Sequence, residues 1–418
     1  MTNNDDRALA LPAFRLFLTA RTISWAGNAI TLVALPVLVF QLTGSPALTG
    51  LLTATEALPY LVFGLPAGAL ADRWDRKRVL VVTGAASGLV MASIPLAASL
   101  ELLTVTHLFV AALGVSSLFV FFDAAGFGAL PELVGRNRIP SATGTMVAFG
   151  TVISLIGPAA GGAIAAAVGP ALALSIDAAA YLIAAVLTAF VHWVPIASPG
   201  ADVPLTAAGL VSDIADGIRY IWRTEIIRWL TLIGAGASIS GGAMLGLTIV
   251  AGVEQLGMTD DDPRLGLLYS ATALGAFLVS LAVSRIQRSV GTGWITIAAL
   301  SISWITQLVW AVNTSIGVGL VVLAVFQAAS TLAIMNGIIV RQSLAPDHLQ
   351  SRVNTTARMI AWGGTPLGAM LGGTLAEHFS VTLALVVCSL GTALGLAIAV
   401  GARLWRVPTL GALRSEVT

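Results

Sequence analysis

Four ionisable residues stand inside long apolar runs of this 418-residue chain: Arg21, Glu56, Asp123 and Asp177. A charge within a membrane is costly, so each is a candidate for ion pairing, proton carriage or ligand recognition. At a rise of about 1.5 Å per residue, Arg21 lies about 12 Å inside its run and Asp123 lies at similar depth in another. The two form a candidate buried ion pair, which either takes part in a proton cycle or only ties two helices together. Glu56 lies about 15 Å deep with no partner of opposite charge at hand, and so is the first candidate for loading and unloading a proton. Asp177 is about 10 Å from its helix end, which suits either a second proton carrier or an ordinary interfacial acid.

The milder polar and soft residues of the same runs suggest a binding cavity. Asn28, Phe119, Phe122, Met244, Gln327, Met335, Asn336 and Trp362 combine aromatic, thioether and amide groups suited to large lipophilic molecules, cationic ones included. Any single one of them more commonly serves plain helix packing. No dense arginine cluster awaits a phosphate or carboxylate. No glycine-rich phosphate loop is present. The four histidines are scattered and Cys388 is the single cysteine, so neither a metal site nor a cofactor is expected. No nucleophile and base are paired at depth, which argues against an enzyme. A net charge of +1 argues against nucleic acid as a partner.

These residues are positioned by membrane helices. The hydrophobic set makes up 57% of the chain and charged residues only 10%, with a mean hydropathy of +0.93. A soluble domain carries about 25% charged residues. Twelve spans are predicted, at 14–40, 47–71, 79–99, 104–128, 142–167 and 171–194, then 228–252, 265–285, 293–312, 316–340, 354–376 and 381–404. Placing both termini in the cytoplasm puts all but two of the 21 Lys and Arg on or beside that face, the exceptions being Arg21 and Arg264. A multi-pass protein of the plasma membrane follows. Its expected organisation is a six-helix bundle at 1–194, a cytoplasmic linker at 195–227, a second bundle at 228–405 and a cytoplasmic tail at 406–418. Within the linker, Ile214, Ile218, Ile221 and Trp222 share a face, as in an amphipathic interfacial helix.

The halves repeat. Residues 70–76 align with 282–288, 161–165 with 372–376, and Arg15 with Arg228, at shifts of roughly 212 residues. Two parallel six-helix halves with a ligand site between them near the midplane are expected from such a duplication.

Two motifs carry a family resemblance. Between the second and third spans stands Gly68-Ala-Leu-Ala-Asp72-Arg73-Trp-Asp75-Arg76-Lys77-Arg78. It resembles the loop signature of the major facilitator superfamily. Asp72 at the membrane edge can face the positive N-terminus of another helix, and the resemblance implies the eleventh. Gly68, Asp72, Arg73, Arg76 and Arg78 would then form a latch that breaks to open the protein inward. A plain topology signal would need only the cations. In the fifth span, Gly150, Gly157, Pro158, Gly161 and Gly162 resemble an element of drug:proton antiporters of that superfamily, where small residues and a proline permit close helix packing.

Arg21-Thr-Ile-Ser24, Gln41-Leu-Thr43-Gly44-Ser45 and Leu130-Pro131-Glu132-Leu133 are similar to the macrolide-efflux and enterobactin-exporter-like branch. Asn28 stands where many of its members carry an acid, which argues against a proton carrier in the first helix. The resemblance implies an all-α fold of twelve transmembrane helices in two pseudo-symmetric bundles. It also implies export of a lipophilic drug or secondary metabolite in exchange for protons, by a monomer in contact with membrane lipids. Siderophore export, proton-coupled import and a non-transporting role as a scramblase or partner-binding protein are the alternatives.

Overall fold

The computed structural model describes residues 8–71, 74–192, 207–344, 346 and 350–409. Helices dominate, as they must where lipid offers the backbone no hydrogen bonds. The six spans of the first half are α1 (Pro12–Thr43), α2 (Pro46–Ala71), α3 (Arg76–Ser99), α4 (Val105–Val134), α5 (Ile139–Val168) and α6 (Pro170–Phe190). After α7 (Ala207–Arg223) come α8 (Glu225–Gly246), α9 (Thr248–Glu254), α10 (Leu265–Ser289), α11 (Thr292–Val312) and α12 (Ile316–Leu344). The chain ends with α13 (Gln350–Trp362), α14 (Gly364–His378) and α15 (Val381–Gly401).

The twelve spans are α1 to α6, α8 running into α9, α10 to α12, α13 with α14, and α15. Among the described residues, eleven helices are each long and apolar enough to cross a membrane. The remaining span is divided at Gly363 because Pro366 has no N–H to offer the Trp362 carbonyl and its ring crowds that oxygen. Local signals set the other ends. Asp75 accepts from the Arg78 N–H at the start of α3, Thr104 from His107 N–H at α4, and Ser380 from Leu383 N–H at α15. Gly44 takes a φ of 61° to close α1.

The chain divides into two compact units. The first comprises Met1–Gly44, Thr55–Pro204 and Thr259–Ser270, and the second Ser45–Ala54, Leu205–Met258 and Ala271–Thr418. Their internal packing repeats. In the first, α1 packs on α5 and α6, and α3 on α4 and α6. In the second, α8 packs on α14 and α15, and α11 on α12 and α15. This is the same arrangement moved one half along the sequence, as the internal duplication requires. Outward-facing residues such as Leu89, Val110, Phe190 and Leu281 remain more than 60% exposed, an apolar surface suited to lipid.

The helix α7 buries Ile221 with Ile227, Val353 and Ala357, and its Tyr220 hydroxyl donates to the Leu344 carbonyl at 2.9 Å. Ile218 and Trp222 stay exposed at its surface. Ile214 is in this helix, while residues 195–206 of the linker and 410–418 of the tail lie outside the described residues.

Candidate functional site

The four ionisable residues at membrane depth all belong to the first unit. Asp177 on α6 is fully buried, with 0% exposure. The Thr31 hydroxyl of α1 donates to its Oδ2, while Oδ1 is enclosed without a partner. Gly27 makes room for it, since a β-carbon there would strike that same Oδ1. One turn along α6, the Tyr181 hydroxyl accepts from Asn28 Nδ2 at 3.5 Å. Asn28 itself is otherwise exposed.

Arg21 is 7% exposed. Its Nη2 stands 4.0 Å from Asp123 Oδ1, an attraction across a gap too wide for a hydrogen bond. Its guanidinium lies over the rings of Phe122 and Trp25, at 4.6 and 5.3 Å from their centres. Nε and Nη1 are buried without acceptors. Asp123 is fixed from its other side by the Tyr60 hydroxyl, which donates to Oδ2 at 2.9 Å. Glu56 on α2 is half-buried and forms no hydrogen bond or ion pair among the described residues. Tyr181 and Tyr269 lie within its electrostatic range.

The loop motif divides. Asp72 and Arg73 lie outside the described residues, and Gly68 falls in the last turns of α2. Arg76 donates to Glu132 Oε1 at 2.5 Å and to the Gly128 carbonyl at 2.9 Å, fastening α3 to α4. Lys77 Nζ donates to the Val191 carbonyl at 2.9 Å, fastening α3 to the end of α6. Arg78 pairs with Asp75 at 3.5 Å, exposed to solvent.

The α5 motif is an approach surface. A β-carbon at Gly157 would lie 2.6 Å from the Ala29 methyl, and one at Gly161 would lie 2.8 Å from Ile30 Cα. Both residues face α1. Gly162 instead faces the segment that leads into α10, with Pro263 O 2.7 Å from its missing β-carbon. Beside buried Pro158, the Ala159 N–H donates to Ser270 Oγ at 3.1 Å. Gly150 lies against the ring of Trp25.

In the second unit the buried side chains that hydrogen-bond to one another are neutral, and the one buried cation among its described residues is Arg341, one turn before the end of α12. Asn336 is fully buried and donates to the Thr292 carbonyl and Thr296 Oγ1, both at 3.0 Å, and accepts from Gln287 Nε2 at 3.3 Å. Gln307 Nε2 donates to Thr392 Oγ1 at 3.0 Å. Ser240 donates to the Cys388 carbonyl and accepts from Thr392 N–H. Gln327 donates to Thr331 Oγ1 at 3.3 Å. Met244 is 4% exposed, Met335 is half-buried, and Trp362 is 53% exposed beneath Arg358. In the first unit, Phe119 meets Tyr60 at 6.4 Å between ring centres, and Phe122 is buried under Arg21.

Sequence reasoning missed several partners. Glu132 was visible only as part of a motif, Thr31 and Tyr60 as ordinary helix residues. The spacing of Asp177 and Tyr181, one turn apart, is the one local signal that marks a polar helix face. Glu377 could not be foreseen. From the last turn of α14, its Oε2 accepts from Ser45 Oγ at 2.7 Å and from the Ala47 N–H at 3.2 Å, capping the positive start of α2. In the segment before α10, Arg264 donates to both oxygens of Asp262, and this bonding holds that carboxyl below its usual range.

A family model described as transmembrane secretion effector matches residues 7–415. The multidrug efflux pump Tap of Mycolicibacterium fortuitum is 28% identical over 370 residues, covering 87% of this chain and 88% of that one. The enterobactin exporter EntS of Salmonella choleraesuis is 25% identical over 374 residues, covering 87% and 86%. Among solved structures, a bacterial homologue of the human lysosomal transporter Spinster superposes with a TM-score of 0.75 at 15% identity, covering 94% of this chain and 98% of that one. The nucleoside transporter NupG gives a TM-score of 0.75 at 13% identity, covering 93% and 99%. The chain belongs to the transmembrane secretion effector family of the major facilitator superfamily, a family of membrane transporters and not of enzymes.

Proposed function

We propose that this protein exports lipophilic small molecules from the cytoplasm across the plasma membrane in exchange for protons, working as a monomer with both termini on the cytoplasmic side. The observation that carries the proton part is Asp177, a fully buried acid with one oxygen bound by Thr31 and the other enclosed and unpartnered. Such a group is stable there only when its charge is relieved. Binding a proton relieves it, and deprotonation readies it for the next cycle. Its burial supports the carrier role over that of an interfacial acid. Glu56, without a hydrogen-bond partner among the described residues, is the second carrier in this reading. The 4.0 Å gap between Arg21 and Asp123 leaves Asp123 free to exchange partners, Arg21 for a proton or for the cationic group of a substrate.

Alternating access needs contacts that hold one side shut and then release. The proposed latch is that of Asp72 at the arginine-rich ends of the helices. Similarity to a siderophore exporter favours a second reading in which the cargo is a metabolite of the cell itself.

The test is drug uptake into proteoliposomes under an imposed pH gradient, with ethidium as the probe. Gradient-driven accumulation by the wild type, lost in the Asp177→Asn, Glu56→Gln double variant, is the expected result. Accumulation that ignores the gradient would reduce the reading to facilitated diffusion.

A further inference from the structure

Asp177 is sealed from water, with 0% exposure, yet a proton carrier must exchange with water in every cycle. The packing around it restricts the route. On the α1 side, Gly27 lies against Oδ1 with no side chain to conduct a proton, and the Ala180 methyl fills the space beside it. Thr31 is buried and spends its hydroxyl hydrogen on Oδ2.

Tyr181 is placed differently. It follows Asp177 by one turn of α6, and helical side chains lean toward the N-terminus, which carries its ring over the turn that holds Asp177. The side chain is 4% exposed, but its hydroxyl reaches Asn28, the residue after Gly27, whose Nδ2 donates to it at 3.5 Å. Asn28 is exposed and continues a stripe of α1 that carries Arg21 and Trp25 at successive turns. Polar side chains at membrane depth face the bundle interior or a water-filled space and not lipid. Because the phenol oxygen accepts from Asn28, its hydrogen is directed elsewhere, and Asp177 Oδ1 is enclosed beside it. Tyr181 also lies within electrostatic range of Asp177, Arg21 and Glu56. Of the other helices packed on α6, α5 has no ionisable residue and α3 has none beyond Arg78.

We propose that Tyr181 is the relay through which Asp177 exchanges its proton with water at Asn28. The inference rests on the reading of Asp177 as a proton carrier and adds the route by which that carrier is reached. On loading, the phenol gives its proton to Oδ1 as its oxygen takes one from water at Asn28. On unloading, both transfers run backwards. The phenol is neutral before and after, so the relay itself strands no charge. Thr31 and Tyr181 divide the carboxylate between them: Thr31 steadies Oδ2, and Oδ1 takes and returns the proton.

The test is a jump from alkaline to acid pH on the full chain in detergent, with the protonated-carboxyl infrared band followed in time. The band of Asp177 is the one that Asp177→Asn lacks. Tyr181→Phe keeps the ring and removes only the hydroxyl. Its Tm and final band amplitude should match the wild type, while the band should appear about a hundredfold more slowly, the scale of a well-placed proton-transfer group. Asn28→Ala should slow it less, because water can replace the exposed amide. Equal rates in wild type and Tyr181→Phe would overturn the relay and leave Asp177 a carrier loaded by another route. A slower rate accompanied by a lower final amplitude and a lower Tm would overturn it too, by showing the phenol to be structural. If the wild type shows no band that Asp177→Asn lacks, the carrier reading fails and the relay falls with it.

Discussion

The two units differ in what they place at membrane depth. In the first, Arg21, Glu56, Asp123 and Asp177 carry charge or can lose it, and their bonding is left open at Arg21 Nε and Nη1 and at Asp177 Oδ1. In the second, Asn336, Gln287, Thr296, Gln307, Thr392 and Ser240 close on one another through neutral hydrogen bonds, and the atoms left open there are the Nε of Arg228 and Arg341 and the indole N–H groups of Trp304 and Trp310 rather than an acid. A closed neutral network has one satisfactory arrangement, so it holds helices in place. Open charged groups have several arrangements of similar energy, depending on where protons and counter-charges sit. The first kind of polarity makes a frame, the second a moving part. Helix packing within the two units is otherwise the same, so the difference lies in side chains and not in architecture.

The comparison can be broken by variants that separate stability from coupling. The largest effect is expected from Glu132→Ala. Its pair with Arg76 is closed at 2.5 Å and mostly buried, although it lies in the first unit. Removing one partner of a buried pair costs about 3–5 kcal/mol, so the Tm in detergent should fall steeply while protons moved per drug stay unchanged. Asn336→Leu comes next. It leaves the Gln287 amide without its acceptor, while the Thr296 hydroxyl keeps the Thr292 carbonyl, at a cost of about 1–3 kcal/mol, again with coupling intact. A change in proton stoichiometry in this variant would break the distinction between frame and moving part.

Asp177→Asn is expected to do the reverse. The amide oxygen still accepts from Thr31, so thermal unfolding should barely move. Proton-driven transport should fall about tenfold, equivalent to about 1.4 kcal/mol. The smallest effect belongs to Asp262, whose bond to Arg264 holds its carboxyl low. A folded-state value below the unfolded value of 3.8 contributes stability that is present above 3.8 and lost as pH falls through the folded value. Asp262→Asn should therefore lower the Tm slightly at neutral pH and match the wild type in strong acid. A difference that persists unchanged in acid would exclude the ion pair as its source.

Much of this was legible in the chain. Charges between apolar runs marked the twelve spans, and Pro366 with Gly363 and Gly364 explains why the 354–376 run is two helices. The small residues of α5 announced close packing, though not that Gly157 and Gly161 face α1 while Gly162 faces the approach to α10. What could not be read were long-range partners and side-chain directions. Glu377 and Ser45 are separated by most of the chain. Arg341 reads as a cytoplasmic cation from its position, yet its side chain turns back along the helix. Asp177 reads as an acid near a helix end, and only the packing of α6 on α1 reveals how completely it is enclosed.

The most direct measurement is proton release from weakly buffered, detergent-solubilised protein when tetraphenylphosphonium is added. The account predicts release from the wild type and from Asn336→Leu, and none from the Glu56→Gln, Asp177→Asn double variant. Equal release from wild type and double variant would contradict the claim that the open acids of the first unit carry the protons.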